Sequence, residues 1–336
     1  MAHIGDTLTI RGNIIRNRIV MPPMVCFSFK GGRDGMFGPE HAAHYARRAQ
    51  GGAGLIIVQA TPVSGADSRS GAWSKTQQDI LREIGLQCHQ AGAAAMIQLC
   101  GHEISLDRKL CGNMEIETFS KEHIRSIQQD CIEAAHLAAE LGFDGAEYHF
   151  AHGYTFCRFL DPSANLRTDE YGGTVENRTR LLSEILPRIR QRTHERFILS
   201  VRMGGNIPDP AGAAEVAKAF EKAGIDLIHA SSGMHPPENT VPENFPGNAT
   251  LYNGTVVKQR VDIPVIAVNG ITTAGQAANL IDNGLADLAA VGRGMLADAS
   301  WTNGALKGDS ITQCLGCREC RWFDDHTKCP AQRSRM

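Results

Sequence analysis

The sequence is short of net charge, of long apolar runs and of aromatic side chains. Its 34 Lys and Arg stand against 36 Asp and Glu, a formal balance of −2. That leaves no electrostatic footprint for nucleic acid or for an anionic membrane surface. No apolar run approaches the ~18 residues needed to span a bilayer. The opening Met-Ala-His-Ile-Gly-Asp-Thr has neither a basic stretch nor a long apolar one, so it does not read as a secretory signal. A cytoplasmic protein is expected. Aromatics make up 6% of the 336 residues, and no aromatic cage for a quaternary ammonium can be located among them. A disulfide-stapled secreted fold would be small and evenly rich in cysteine. Here Cys26, Cys88, Cys100, Cys111, Cys131 and Cys157 are scattered, whereas Cys314, Cys317, Cys320 and Cys329 crowd together near the C-terminus like a ligand set.

What the chain does have is repetition. Short β-rich runs lie at 18–24 (RIVMPPM), 54–59, 94–99, 144–148, 197–202, 226–230, 264–269 and 287–291. They show little polar alternation, as expected of parallel strands covered on both faces. Between them lie stretches with helical spacing at 40–51, 77–91, 120–141, 176–194, 211–223 and 273–283. In 120–141 the residues Ile124, Ile127, Cys131, Ala134, Ala138 and Leu141 share one helical face. Ser120 is placed to cap the start and Gly142 to end it. Several of these stretches close on glycine (Gly51, Gly92, Gly224, Gly284) just before the next run. Strand-helix repetition of this kind predicts an α/β protein, a single (β/α)8 TIM barrel over residues 1–305, with a short Cys-rich extension at 306–336. An open doubly wound sheet is the alternative, but it would more often carry a Gly-rich phosphate turn after its first strand.

In a parallel barrel the active site forms where strands end and βα loops begin. Polar residues gather there: Gln98, then His149 with His152 and Tyr154, then Arg202, then Ser231, Ser232 and His235, then Asn269 and Gly270, and finally Gly292 and Arg293. A histidine at a strand end is often merely structural, but His149, His152 and Tyr154 share one loop. Arg202 ends an apolar strand and would be costly there unless an anion faced it. Paired loops after the last two strands are a recurrent phosphate site in barrels.

At these residues the sequence resembles the old yellow enzyme family of FMN-dependent oxidoreductases. The likeness is densest in GFDGAEYHFAHGYTFCRFLDPSANLRTDEYGGTVENR, Gly142 to Arg178, through Asn165, Arg167, Asp169, Glu170, Tyr171, Gly172, Gly173, Glu176, Asn177 and Arg178. It continues in NRIVMPPM, in IQL around Gln98, in SVRMG around Arg202 and in ADLAAVGRGMLADASW. The cysteine tail is similar to that of the branch containing 2,4-dienoyl-CoA reductase and trimethylamine dehydrogenase, where a [4Fe–4S] cluster follows the barrel.

The resemblance implies roles residue by residue. Pro23, Met24 and Ala60 would lie against the flavin, Gln98 at its pyrimidine edge, and Arg202 beside the N1/C2 carbonyl as a fixed positive charge. Gly270, Gly292 and Arg293 would hold the phosphate. His149 and His152 would hydrogen-bond the electron-withdrawing oxygen of an activated alkene, an oxyanion-hole logic. Tyr154 would supply the proton as general acid, assisted by His235. The expected reaction is reduction of an α,β-unsaturated carbonyl compound with NAD(P)H as co-substrate. Two readings stand as alternatives: oxidative dehydrogenation or demethylation of a small amine, and a non-catalytic flavin or iron–sulfur electron carrier. Family members often place Thr or Cys directly after the Pro-Met of strand 1. Here Val25 stands there and Cys26 follows, so tuning of the flavin from strand 1 is not expected. After Gln98-Leu99 the chain reads Cys100-Gly101-His102-Glu103, departing from the family's His-Gly-Arg.

Cys314-x2-Cys317-x2-Cys320 with a later Cys329-Pro330 has iron–sulfur spacing. A zinc site with four thiolates and unligated cysteines are the alternatives. The partners expected are a small unsaturated substrate and no nucleic acid or membrane. An electron-donor protein feeding the cluster and a homo-oligomer are left open.

Overall fold

The computed structural model describes residues 2–32, 35–101 and 115–333. A hairpin of β1 (Leu8–Ile10) and β2 (Asn13–Ile15) comes first. Eight parallel strands then close into a barrel: β3 (Ile19–Met21), β4 (Leu55–Pro62), β5 (Ala94–Cys100), β6 (Gly145–Phe150), β7 (Ile198–Gly204), β8 (Leu227–Ser231), β9 (Val265–Val268) and β10 (Leu288–Ala290). They neighbour in chain order, and β10 returns to pair with β3. Each of the eight expected runs overlaps one barrel strand. The first shrinks to three residues because Pro22 and Pro23 have no N–H to give to a ladder. The fourth gains His149 and Phe150, which continue the pairing with Arg202 and Met203.

Side chains alternate between the two faces of a strand, so each inward-pointing series can be read as i, i+2, i+4. These series change character together. Leu55 and Ile57, Ala94 and Met96, Ile198 and Leu227 share one apolar cluster inside the barrel, joined by Val20, Ile266 and Leu288. One step further along the same strands stand Gln98, Glu147, Ser200 and His229, all buried. Another step brings His149, Arg202 and Ser231. The interior is therefore stratified: an apolar floor, a polar middle layer and a mouth. The hairpin completes the floor, since Ile10 and Ile15 belong to the same inner cluster.

The larger core lies outside the sheet, under the helices. In chain order these are α1 (Pro39–Gln50), α2 (Lys75–Gln90), α3 (Lys121–Glu140), α4 (Thr155–Leu160), α5 (Val175–Ser183), α6 (Leu186–Arg192), α7 (Pro210–Ala223), α8 (Ala249–Arg260), α9 (Ala274–Asp282), α10 (Arg293–Ala297), α11 (Trp301–Lys307), α12 (Arg321–Asp324) and α13 (Pro330–Arg333). The Ser120 hydroxyl accepts the His123 amide at 3.1 Å, capping α3 as its sequence implies. The stretch expected as one helix over 176–194 is two, with Pro187 in the first turn of α6, where its missing N–H costs nothing. Helix α8 escapes the apolar-period test because it buries Thr250, Asn253, Gly254 and Thr255 along with Leu251 and Val257. The tail packs on the barrel through a satellite cluster in which Cys26, Phe29, Leu296 and Ala297 meet Trp322, Cys329 and Ala331.

If the hairpin seals the barrel floor, Ile15→Ala should open a cavity at a fully buried position and cost about 2–5 kcal/mol. The expected readout is a lower urea midpoint with an unchanged slope.

Candidate functional site

The middle layer is organised around Glu147. Its Oε1 accepts the Gln98 amide Nε2 at 2.7 Å, and its Oε2 shares a hydrogen bond with His229 Nδ1 at 2.8 Å. All three side chains are buried, so each polar atom depends on the others for what water would supply. The Gln98 bond also orients its amide, because the nitrogen end is held at the carboxyl. Burial holds His229 below its ordinary pKa, with Glu147 opposing the shift.

Above this layer a second hydrogen-bonded line runs across three strands, β6, β7 and β8. His149 Nε2 lies 2.8 Å from His152 Nδ1, His152 Nε2 lies 2.8 Å from Ser231 Oγ, and Arg202 Nη2 donates to the same Oγ at 3.3 Å. Burial, the Arg202 charge and His229 hold His149 well below the usual imidazole pKa. It is therefore neutral and can donate one N–H and accept at one nitrogen. Burial likewise lowers Arg202, against the favourable pull of Glu147. His152 sits at φ +63°, in the left-handed region, and its amide donates to Ser232 O at 3.1 Å. The loops after β6 and β8 thus hold each other, and the His152 backbone is strained where its side chain enters the line. Tyr154, the N-cap residue of α4, brings its ring to 5.3 Å from that of His149.

One hollow of about 830 Å³ opens over this line. Of the residues singled out from the sequence, Pro23, Met24, His152, Arg202, Gly270, Gly292 and Arg293 line it. Gln98 and His149 lie buried beneath, and Ala60 is buried at the far end of β4. His235 is exposed, and its carbonyl accepts the Asn206 amide at 3.1 Å. Two glycines shape the hollow. A Cβ on Gly292 would sit 3.3 Å from Met24 Sδ, and Gly270, at φ +77°, would put one 2.6 Å from Asn248 Nδ2. Bulk at either point would shift a wall. Within the barrel, Arg202 Nε, His229 Nε2 and Ser200 Oγ are buried without a hydrogen-bond partner among the described residues. A flat, polar-edged cofactor entering from the mouth would find unspent donors and acceptors there.

The four tail cysteines come together. Cys314, Cys317, Cys320 and Cys329 line a second, smaller cavity of about 290 Å³, with Trp322 and Pro330. Arg293 lines both this cavity and the hollow. Among the described residues no group of three or more His, Cys, Asp or Glu is set to hold a metal ion. Cys26 lies beyond the end of β3, buried against the tail, and burial pushes its thiol up to about 12. His102, Glu103 and Cys111 lie outside the described residues.

Sequence reading passed over Glu147 and His229. The signal was present: an acid in Ala-Glu-Tyr-His and an imidazole in Leu-Ile-His, each two residues before a mouth residue on an otherwise apolar strand.

Comparison with known proteins identifies the family and the fold. The model of the NADH:flavin oxidoreductase / NADH oxidase family matches residues 6–310. The NADPH dehydrogenase of Bacillus subtilis (strain 168) is 34% identical over 326 residues, covering 89% of this chain and 93% of the relative. The NADH oxidase of Thermoanaerobacter brockii is 32% identical over 336 residues, covering 90% of this chain; the chain spans only 51% of that relative's length. Among solved structures, an old yellow enzyme homologue from Zymomonas mobilis superposes with a TM-score of 0.74 at 23% identity, over 97% of this chain and 99% of the other. At that identity the likeness speaks for the fold.

Glu147→Leu should leave Gln98 and His229 without partners in the barrel interior, at about 1–3 kcal/mol for each orphaned group. Glu147→Gln, which keeps one acceptor, should lose less; the two are ranked by denaturant midpoint.

Proposed function

This chain belongs to the NADH:flavin oxidoreductase / NADH oxidase family, and from that premise we propose that it is an FMN-dependent NAD(P)H oxidoreductase reducing the activated alkene of a small α,β-unsaturated carbonyl compound. The observation that carries the reading is the line His149–His152–Ser231–Arg202 beneath one hollow, with Tyr154 beside its first member. When bound, FMN supplies hydride acceptance from NAD(P)H and hydride donation to the alkene β-carbon.

In this reading Pro23, Met24 and Ala60 shape the wall for the flavin ring, and Gln98, oriented by Glu147, meets its pyrimidine edge. The backbone at Gly270 and Gly292, with the Arg293 guanidinium, holds the phosphate. Arg202 is a buried, fixed cation whose Nε is unspent, so it stabilises negative charge at the ring edge without reorganising. His149 and His152 present N–H groups to the substrate carbonyl oxygen. In the structure they spend one hydrogen bond on each other and one on Ser231, so a carbonyl binds by exchanging an internal bond for one to itself. That exchange favours the oxygen that carries most negative charge, which is the oxygen of the developing enolate. Tyr154 donates the α-proton, and His235, exposed on the loop after β8, is its assistant in this reading.

A cage for a methylated amine finds no support here: among the described residues lining the hollow there is no Phe, Tyr or Trp. A purely electron-carrying protein would have no use for a proton donor beside two imidazoles.

For the tail, residues 306–336, we propose a [4Fe–4S] cluster on Cys314, Cys317, Cys320 and Cys329. Convergence of four thiols on one cavity supports it. If bound, the cluster would be held by these four thiolates and would supply one-electron transfer; a zinc on the same thiolates is the alternative. Electrons reach the site either from NAD(P)H directly or from a partner protein through the cluster. Among the described residues no helix is long and apolar enough to cross a membrane.

Tyr154→Phe should slow alkene reduction by the pre-reduced enzyme about 10²–10⁴-fold and leave reduction of the flavin by NAD(P)H unchanged, both followed by anaerobic stopped flow. Equal loss in the two half-reactions would reject its role. Anaerobically purified protein should show, beyond the flavin bands, broad absorption near about 400 nm from thiolate-to-iron charge transfer, abolished by Cys317→Ala. One zinc per chain and no such band would replace iron with zinc.

A further inference from the structure

A third cavity, of about 1010 Å³, lies between the end of α1 and the tail. Its charged walls are Arg47 and Arg48 of α1, with His44 one turn earlier and His326 of the tail, and no carboxyl group lines it. Arg48 is 3% exposed. Its Nε donates to Met295 O at 3.0 Å and its Nη1 to His44 O at 2.9 Å, while Nη2 makes no hydrogen bond to the described protein. The two carbonyls satisfy two nitrogens but leave the charge uncompensated. Arg47 is exposed and forms no ion pair among the described residues.

Of the acids close by in sequence, Asp324 is exposed and lines a neighbouring hollow with Glu40, and the others are engaged. Asp325 accepts the Thr327 amide and hydroxyl and pairs with Lys328. Asp298 accepts the amides of Ser300 and Thr312, and Glu40 accepts that of Lys30. A guanidinium withdrawn from water beside a second cation is expensive unless an anion joins it. In keeping with that, burial and Arg47 together pull Arg48 down to about 10. The remaining wall is aromatic: the Trp322 ring lies 5.3 Å from His44, and Phe29 lies 5.7 Å from Trp322 and 4.9 Å from His326. Both rings are nearly buried, Trp322 at 2% and Phe29 at 5% exposed, so what they offer a flat ring is an edge for a T-shaped contact.

We propose that this cavity is a binding site for an organic oxyanion, a carboxylate or phosphate ester carried on a planar ring, with the head on Arg48 Nη2 and Arg47 and the ring against Trp322 and Phe29. Because α1 supplies the cations and the tail supplies Trp322, His326, Thr327 and Gln332, an occupant touches both and fastens the tail to the barrel. The site is separate from the mouth and independent of the chemistry assigned there.

The test uses the purified full chain with excess FMN at constant ionic strength set with chloride. Tryptic cleavage within the tail, at Arg318, Arg321 or Lys328, is followed against inorganic phosphate, benzoate and adenosine monophosphate. Saturable protection is expected, with one of the two ring-bearing anions at least tenfold tighter than inorganic phosphate; benzoate leading assigns a carboxylate, the nucleotide a phosphate ester. Arg47→Ala, which leaves the buried guanidinium in place, should weaken protection at least tenfold, Arg47→Lys should restore it, and both should keep the flavin spectrum. Absence of saturable protection by any of the three, equal protection in Arg47→Ala, or phosphate matching both ring-bearing anions would overturn the proposal.

Discussion

The buried carboxyl of Glu147 is the interaction on which the rest of the barrel mouth depends. An acid inside a closed parallel barrel is tolerable only if its oxygens are satisfied, and they are satisfied by Gln98 from one strand and His229 from another. That arrangement spaces three strands at the level just below the mouth. It also offers a negative counterweight to Arg202, whose guanidinium is buried, hydrogen-bonded to Ser231 and part of the lining of the hollow. The polar layer works because the floor below is apolar and sealed by the hairpin, which keeps water from entering behind it.

The second organising feature is contiguity. The mouth, the cysteine cavity and the cationic cavity form a series in space. Arg293 belongs to the walls of the first two, and Trp322 to those of the second and third. Each shared residue therefore puts the walls of two neighbouring cavities in direct contact. The tail is small and contributes little core of its own. Its place on the barrel rests on the cluster around Trp322 and Cys329, and on the Gln332 amide donating to Leu296 O at 2.6 Å.

Much of this was legible along the chain. The eight apolar runs were visible because strands buried on both faces cannot hide their composition. The mouth residues were visible because barrel strands change from apolar to polar at one end. Helix α8 was not, because its inward face is made of Thr, Asn and Gly that pack against small strand residues, a fit that hydrophobic periodicity does not register. The break between α5 and α6 was missed because a proline in a helix's first turn does not interrupt the apolar period around it.

By itself the sequence determined the architecture and the chemical inventory: parallel strands, a polar mouth, a set of four thiols. Those follow from local composition and from spacing along one strand or loop. What the tertiary structure decided is adjacency between segments far apart in the chain. Glu147 meets His229, His152 meets Ser231, Arg293 stands between two cavities and Arg48 is enclosed by the tail, since closing a barrel sets each strand's neighbours and the pleat sets the depth at which their side chains meet.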